Sequence, residues 1–222
     1  NVIVEKNLRQ EVVNTLLMLE GIREGSAEHK MILRKFNESG LCPRYKMTAK
    51  DAWCATTVSF AFIVNKLAGK QGSGALFQCV ECSCAEMVKL GKQQGIFVES
   101  DSYTPKPGDV IFYDWQDSGK GDNKGHPDHV GIVISVSGGV ITVIEGNKAD
   151  AIGRRKISVN GKYIRGFICP KYADPTDTRE HYPGKLPILP ARGYYKKGDG
   201  MTTLKGSRDQ IKRVQEAVNW VF

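Results

Sequence analysis

The sequence predicts an α+β protein in which N-terminal helices pack on a C-terminal antiparallel β-sheet. Apolar residues recur with helical spacing in several segments as far as Gln94. After Gly95 the pattern changes to short β-rich runs separated by turn residues. Helices first and antiparallel strands second are typical of the α+β class.

Three of the predicted helices are bounded by capping or breaking residues. The first covers residues 7–20 and ends at Gly21, and the second starts after Ser26 as N-cap and ends within residues 37–40. A later helix covers residues 84–94 and is closed by Gly95.

The central helix starts near Cys54, and from Trp53 to Val64 it carries no charged residue. A helix that is apolar nearly all round is usually buried. We expect Asp51 to be its N-cap, which places Cys54 in the first turn, where backbone N–H groups and the helix dipole favour an anion. A cysteine there can have a lowered pKa and act as a thiolate nucleophile. Core packing is the alternative, because cysteine is among the most buried residue types.

Five strands are predicted in the second half of the chain, at residues 110–113, 129–137, 140–147, 155–159 and 163–169. Ser137-Gly138-Gly139 predicts a hairpin between the second and third of them. Asn160-Gly161 predicts a turn that leads into the last strand.

Composition and charge limit the possible partners. The chain has 222 residues, is 41% hydrophobic and carries a formal charge of +8. No apolar run has the length of a membrane span. From Gly184 to Phe222 there are eight basic residues against three acidic ones, and such a surface attracts nucleic acid, anionic lipid or an anionic cell wall. No nucleic-acid-binding motif is present, so we expect no nucleic-acid partner.

The six cysteines predict neither a metal nor another cofactor. Cys79 and Cys82 have the spacing of a metal-binding or redox pair, but no second close pair of Cys or His follows at the usual distance. We expect Cys79, Cys82 and Cys84 to be free thiols or to form one local disulfide at the start of a helix.

A cysteine nucleophile needs a general base, and the base needs a group that orients it. Of the four histidines, His129 opens a strongly apolar strand, where its side chain would be rigidly placed. Glu145 and Asn147 lie on the next strand, so the hairpin can bring either beside His129. An imidazolium would be a suitable partner for a buried Glu145.

Together these motifs resemble a CHAP domain, and the resemblance covers roughly residues 8–172. The motifs appear in the order Trp53-Cys54, Pro107-Gly108-Asp109-Val110-Ile111, Asp128-His129-Val130-Gly131-Ile132-Val133 and Val143-Ile144-Glu145-Gly146-Asn147. CHAP domains are cysteine- and histidine-dependent amidohydrolases or peptidases with a papain-like fold, and they cut peptidoglycan. The longer match through Asp114-Trp115-Gln116-Asp117 and Gly121-Asp122-Asn123 resembles endolysin-type enzymes of Gram-positive phages and prophages.

The resemblance implies a role for each candidate catalytic residue. Cys54 is the nucleophile, and its backbone N–H is one oxyanion donor. His129 is the general base and then the acid for the leaving amine. Glu145 orients His129, and Asn147 assists or shares that role.

Two features depart from the family pattern. Trp53 stands where many members have Gln, which leaves the second oxyanion donor unassigned. Residues 44–50 contain no acid, so the calcium site of some members is not expected. Four residues could form a different cation site, although we favour a solvated loop: Asp114, Asp117, Asp122 and Asn123.

The predicted organisation is therefore a catalytic domain at residues 1–172, a linker at 173–190 and a partial helical segment at 191–222. The last segment resembles the start of a peptidoglycan-binding repeat. We expect a peptidoglycan amidase or endopeptidase that acts at the cell wall, either secreted or released through the membrane as an endolysin. The alternatives are a non-catalytic wall-binding module and a papain-like peptidase acting on proteins.

Overall fold

Four helices and a six-stranded antiparallel sheet form the part of the chain that the structure, a computed structural model, describes: residues 7–116 and 125–173. The helices are α1 (Leu8–Met18), α2 (Ala27–Glu38), α3 (Cys54–Val64) and α4 (Cys84–Gln93). The strands are β1 (Phe97–Val98), β2 (Val110–Tyr113), β3 (His129–Ser137), β4 (Val140–Glu145), β5 (Gly153–Ser158) and β6 (Ile164–Ile168). The predicted α+β class is confirmed, and the helices lie mostly N-terminal to the strands.

Side-chain caps explain where three of the helices begin. Asn7, Ser26 and Ser83 each accept a hydrogen bond from a backbone N–H in the first turn of α1, α2 and α4. Helix α3 differs, because its N-cap is Trp53 and no side chain caps it. The prediction of Asp51 as N-cap is wrong: its carboxylate accepts hydrogen bonds from Thr48 within its own loop and from the Tyr45 hydroxyl.

Helix α3 is the centre of the helical layer, as its uncharged sequence predicted. Every residue from Cys54 to Phe62 is buried. The helix packs against α1, α2 and the strands β3 and β4. A helix enclosed in this way has little freedom to shift, so its N-terminus has a well-defined place over the sheet.

The sheet has the strand order β1-β6-β2-β3-β4-β5. The hairpin between β3 and β4 is confirmed, and Gly138 and Gly139 form its turn with positive φ angles of 56° and 74°. The turn at Asn160-Gly161 does not join neighbouring strands, because β6 crosses the sheet to lie between β1 and β2. Strand β1 was not predicted, since two residues are too few to show alternation.

Both faces of the sheet centre are covered, because every residue of β2 and of β6 is buried. One apolar cluster joins β2, β3, β4 and β6 through Ile111, Tyr113, Val133, Ile141, Val143, Ile164 and Phe167. This core anchors the ends of β3 and β4, which carry the candidate histidine and glutamate.

The described residues all belong to one compact unit of residues 6–174. Apart from residue 173, the predicted linker at 173–190 and the segment at 191–222 lie outside the described residues, and their assignments stay predictions. None of the helices in the described ranges has the length and hydrophobicity needed to cross a membrane.

Candidate active site

Cys54 is the first residue of α3, and 6% of it is exposed. The residue before it, Trp53, contacts both the α1–α2 loop and α2. Its indole N–H donates to Glu24 at 3.0 Å, and its ring centre lies 4.4 Å from that of His29. The Trp53 side chain is therefore a buried anchor, and its N–H is not the second oxyanion donor.

His129 and Glu145 meet across the β3–β4 hairpin. The sequence had predicted that the hairpin could bring either Glu145 or Asn147 beside His129. His129 Nε2 lies 3.1 Å from Glu145 Oε2, and Glu145 is completely buried. Gly131 makes this approach possible, because a Cβ there would lie 2.7 Å from the Cγ of Glu145. Because Nε2 is bonded to Glu145, Nδ1 is the ring nitrogen of His129 that can interact with another group.

Cys54 and His129 interact, and their two pKa values move in opposite directions. A hydrogen bond from Cys84 and one from His129 lower the pKa of Cys54 well below its usual value, against the effect of burial. Burial lowers the pKa of His129, but the hydrogen bonds and charges of Cys54 and Glu145 outweigh it and raise that pKa to about 9. Both directions favour a thiolate beside an imidazolium near neutral pH.

Arg155, which the sequence reasoning missed, is the second partner of Glu145. Its Nε donates to Glu145 Oε1 at 2.7 Å, so each carboxylate oxygen has its own cationic partner. Burial raises the pKa of Glu145, but the bonds to His129 and Arg155 hold it below its usual value. The strand pattern contained a signal: inward and outward residues alternate along β5, and Arg155 shares the inward face with Ile157.

The aromatic rings of Trp115 and Tyr113 lie on one side of the charged group formed by His129, Glu145 and Arg155. The guanidinium carbon of Arg155 lies 4.8 Å from the ring centre of Trp115, and Trp115 stacks on Tyr113 at 4.9 Å. Trp115 is 37% exposed and its ring centre lies 6.1 Å from that of His129. It therefore presents an apolar surface to solvent directly beside the candidate base.

Asn147 belongs to the site but is not the partner of His129. Strand β4 ends at Glu145, two residues earlier than predicted, and Asn147 has a left-handed conformation with φ 55°. The preceding Gly146 passes so close to Thr57 of α3 that a Cβ would meet the Thr57 hydroxyl, so glycine permits this approach. Asn147 instead lines an open cavity of about 280 Å³, together with Trp115, His129, Lys148, Ala149 and Arg155.

Cys84 is a second thiol at the site that the sequence did not place there. It is the first residue of α4, and its sulfur lies 3.8 Å from the sulfur of Cys54. The hydrogen bond to Cys54 and burial raise the pKa of Cys84 well above its usual value. Cys84 is therefore the thiol of the pair and Cys54 the thiolate.

All six cysteines are free, which agrees with one of the two predicted states of the clustered thiols. Within the described ranges, one group could share a metal ion: Cys42, Glu81 and Cys82, whose ligand atoms lie within 4.8 Å of one another. Arg44 already makes a bidentate ion pair with Glu81, with distances of 3.0 and 2.6 Å. A cation would have to displace this guanidinium, so we assign the group a structural role. Of the loop residues considered for a cation, Asp117, Asp122 and Asn123 lie outside the described residues.

Residues 45–147 match the family model described as the CHAP domain, and this segment includes Cys54, His129, Glu145 and Asn147. The chain contains a CHAP domain. CHAP domains are cysteine- and histidine-dependent amidohydrolases and peptidases, so the match supports a hydrolase of amide bonds.

Comparison with solved structures finds a chain described as "The crystal structure of Ly7917". The two share 16% sequence identity at a TM-score of 0.36, over 73% of this chain and 62% of that one. The alignment thus spans less than two thirds of that structure. No curated protein matches the chain.

Proposed function

We propose that this protein is a peptidoglycan hydrolase that cleaves an amide bond of the bacterial cell wall through a thioester intermediate on Cys54. The observation that carries the proposal is the pair of bonds from His129 to Glu145 at 3.1 Å and from Arg155 to Glu145 at 2.7 Å, with His129 interacting with Cys54. It joins a nucleophile at a helix N-terminus to an imidazole with a fixed orientation.

Acylation begins with attack by the Cys54 thiolate on the carbonyl carbon of the scissile amide. The negative charge that develops on oxygen faces the N-terminus of α3, where the backbone N–H of Cys54 is one donor. His129, already protonated beside the thiolate, gives its proton to the leaving amine. The amine departs and the acyl group remains on Cys54 as a thioester.

Deacylation uses the same histidine in the opposite sense. His129, now neutral, takes a proton from a water molecule that attacks the thioester carbonyl, and collapse of the intermediate releases the acid and the Cys54 thiolate. Glu145 stabilises the imidazolium in both halves of the reaction, and Arg155 keeps Glu145 ionised and in place.

The cavity beside His129 is the place where we expect the substrate to lie. Trp115 offers an apolar wall to a sugar ring or a peptide side chain, while Asn147 and Lys148 offer polar groups from the turn that follows β4. This mixture suits a glycopeptide, which has both apolar and polar faces. We further propose that residues 191–222 assist binding to the wall, and that the protein acts there after secretion or phage-mediated release.

Turbidity loss of purified Gram-positive cell walls tests the proposal. The full chain should clear the walls and release new amino groups, while Cys54→Ala should be slower by about 10³-fold or more, because no thioester can form. Casein under the same conditions is the matched control substrate. Mass spectrometry of the fragments would then assign the cleaved bond as an amidase or an endopeptidase product.

Three results would contradict the proposal. Equal clearing by the native chain and by Cys54→Ala would exclude the cysteine mechanism. Binding to the walls without release of amino groups would favour a non-catalytic wall-binding module. Cleavage of casein but not of walls would favour a peptidase acting on proteins.

A further inference from the structure

The sulfurs of Cys54 and Cys84 lie 3.8 Å apart, although the residues are 30 positions apart in the chain. Both are first residues of helices, so the N-termini of α3 and α4 converge on one point. They are 6% and 8% exposed, so both thiols are largely shielded from solvent.

The approach of the two helices is built into the fold. The Ser59 hydroxyl of α3 donates to the carbonyl of Glu81 at 2.8 Å and accepts from the N–H of Glu81 at 3.0 Å. This pair of buried bonds attaches the segment before α4 directly to α3. Ser83 then caps α4 through the N–H of Glu86, so the position of Cys84 is set by contacts on both sides.

We propose that Cys84 is the resolving cysteine of Cys54, so that peroxide converts the nucleophile into a reversible disulfide. The Cys54 thiolate attacks hydrogen peroxide, gains one oxygen as a sulfenic acid and releases hydroxide. The Cys84 sulfur then attacks the Cys54 sulfur, an S–S bond forms, and the sulfenic oxygen leaves as water with the proton of Cys84. In total, two thiols and one peroxide give one disulfide and two waters.

The first oxidation step prepares the second. Cys84 remains a thiol chiefly because it donates to the Cys54 thiolate. When Cys54 becomes a neutral sulfenic acid, that anion no longer exists, and the N-terminus of α4 favours ionisation of Cys84. A disulfide needs a sulfur separation of about 2.05 Å, which rotation of the two side chains from 3.8 Å can approach.

Three other described thiols have different neighbours. Cys42 donates to Glu81 at 3.4 Å, and the Arg44 guanidinium lies 3.8 Å from the sulfur of Cys82. Cys79 accepts a hydrogen bond from the Gln94 amide at 3.3 Å. Among the described residues, Cys84 is thus the thiol that contacts Cys54.

The test treats the full chain with hydrogen peroxide, blocks remaining thiols with an alkylating agent and maps the peptides by mass spectrometry. We expect a Cys54–Cys84 cross-linked peptide in the native chain, and its loss after dithiothreitol. Wall-clearing activity should fall by about tenfold or more on oxidation and return with dithiothreitol. Each activity is expressed relative to the same variant before treatment.

Cys84→Ser is the decisive variant, because serine retains a hydroxyl donor but cannot form the disulfide. In this variant Cys54 should gain two or three oxygens, and dithiothreitol should not restore the lost activity. Cys82→Ser is the matched control, two residues away, and should behave as the native chain does.

Two outcomes would overturn the proposal: a disulfide from Cys54 to another cysteine, or recovery of Cys84→Ser to the same extent as the native chain. The peptide map does not depend on the substrate, so it tests the disulfide even if walls are not cleaved. Circular dichroism of each variant separates misfolding from a chemical effect.

Discussion

Two buried carboxylates in this protein have similar surroundings and opposite effects on the thiols near them. Glu145 is bound by Arg155 and is linked to Cys54 through His129, whereas Glu81 is bound by Arg44 and contacts Cys42 directly. Two groups make the difference: the Cys84 thiol, which bonds to Cys54, and His129, which stands between Glu145 and Cys54.

The histidine reverses the electrostatic effect of the carboxylate. Burial, the neighbouring Cys82 and the Glu81 charge raise the pKa of Cys42 to about 12. At the other site, the carboxylate stabilises an imidazolium, and the imidazolium helps to stabilise a thiolate. Glu81 thus adds to the burial that raises the pKa of Cys42, whereas Glu145 supports the thiolate of Cys54 through a histidine.

Removing the histidine should make the reactivity of Cys54 more like that of Cys42. We expect His129→Ala to reduce hydrolysis by about 10³-fold or more, because both the imidazolium and the acid for the leaving amine are lost. Alkylation of Cys54 by iodoacetamide at pH 7 should also slow toward the rate of Cys42. Retention of fast Cys54 alkylation in a folded His129→Ala chain would contradict the role given to the histidine.

Neutralising each carboxylate should separate catalysis from stability. Glu145→Gln should lower the hydrolysis rate by roughly 10²- to 10⁴-fold, because an amide stabilises the His129 imidazolium poorly. Glu81→Gln should leave the rate close to native and reduce the free energy of unfolding by about 1–3 kcal/mol, since Arg44 loses its partner. The measurements are rates on walls and denaturant unfolding of both variants, and similar rate losses in the two would argue against the distinction.

The two arginines provide a weaker version of the same comparison. Arg155→Ala should reduce the rate roughly tenfold, because Glu145 loses the contact that holds one of its oxygens. Arg44→Ala should cost about 1 kcal/mol of stability with little effect on rate, because Arg44 is partly exposed. Arg155→Lys should restore part of the rate if charge is the main contribution; no difference between Lys and Ala would assign the effect to the shape of the guanidinium.

The smallest expected effect is the pH dependence of the native chain. The pKa of His129 is raised from 6.5 to about 9, so the imidazolium is retained through neutral pH and is lost as pH rises through about 9. The rate should halve near that pH. The stabilisation from the raised pKa is complete below about pH 6.5 and is lost as the pH rises through about 9. The thermal unfolding temperature should therefore fall over this range in the native chain and not in His129→Ala. A rate that stays constant to pH 10 would contradict the imidazolium.

Much of the helical layer could be predicted because local rules decide it. Ser26 and Gly95 mark helix boundaries through capping and left-handed backbone, and these act within a few residues. The cap of α3 was missed because the Asp51 carboxylate accepts hydrogen bonds from Thr48 and Tyr45 instead. The crossing of β6 was also missed, since a turn dipeptide does not specify which strand becomes the neighbour.

Some residues of the site could likewise be predicted from the sequence, and others could not. By itself, the sequence determined the α+β class, the uncharged central helix, the hairpin at Gly138-Gly139 and the candidates Cys54, His129 and Glu145, because periodicity, turn chemistry and motif order are local properties. Only the tertiary structure decided that Glu145 rather than Asn147 meets His129, that Arg155 completes the group, and that Cys84 faces Cys54. Those contacts depend on how a helix end, a strand end and a second helix converge, and convergence comes from packing between segments distant in the chain.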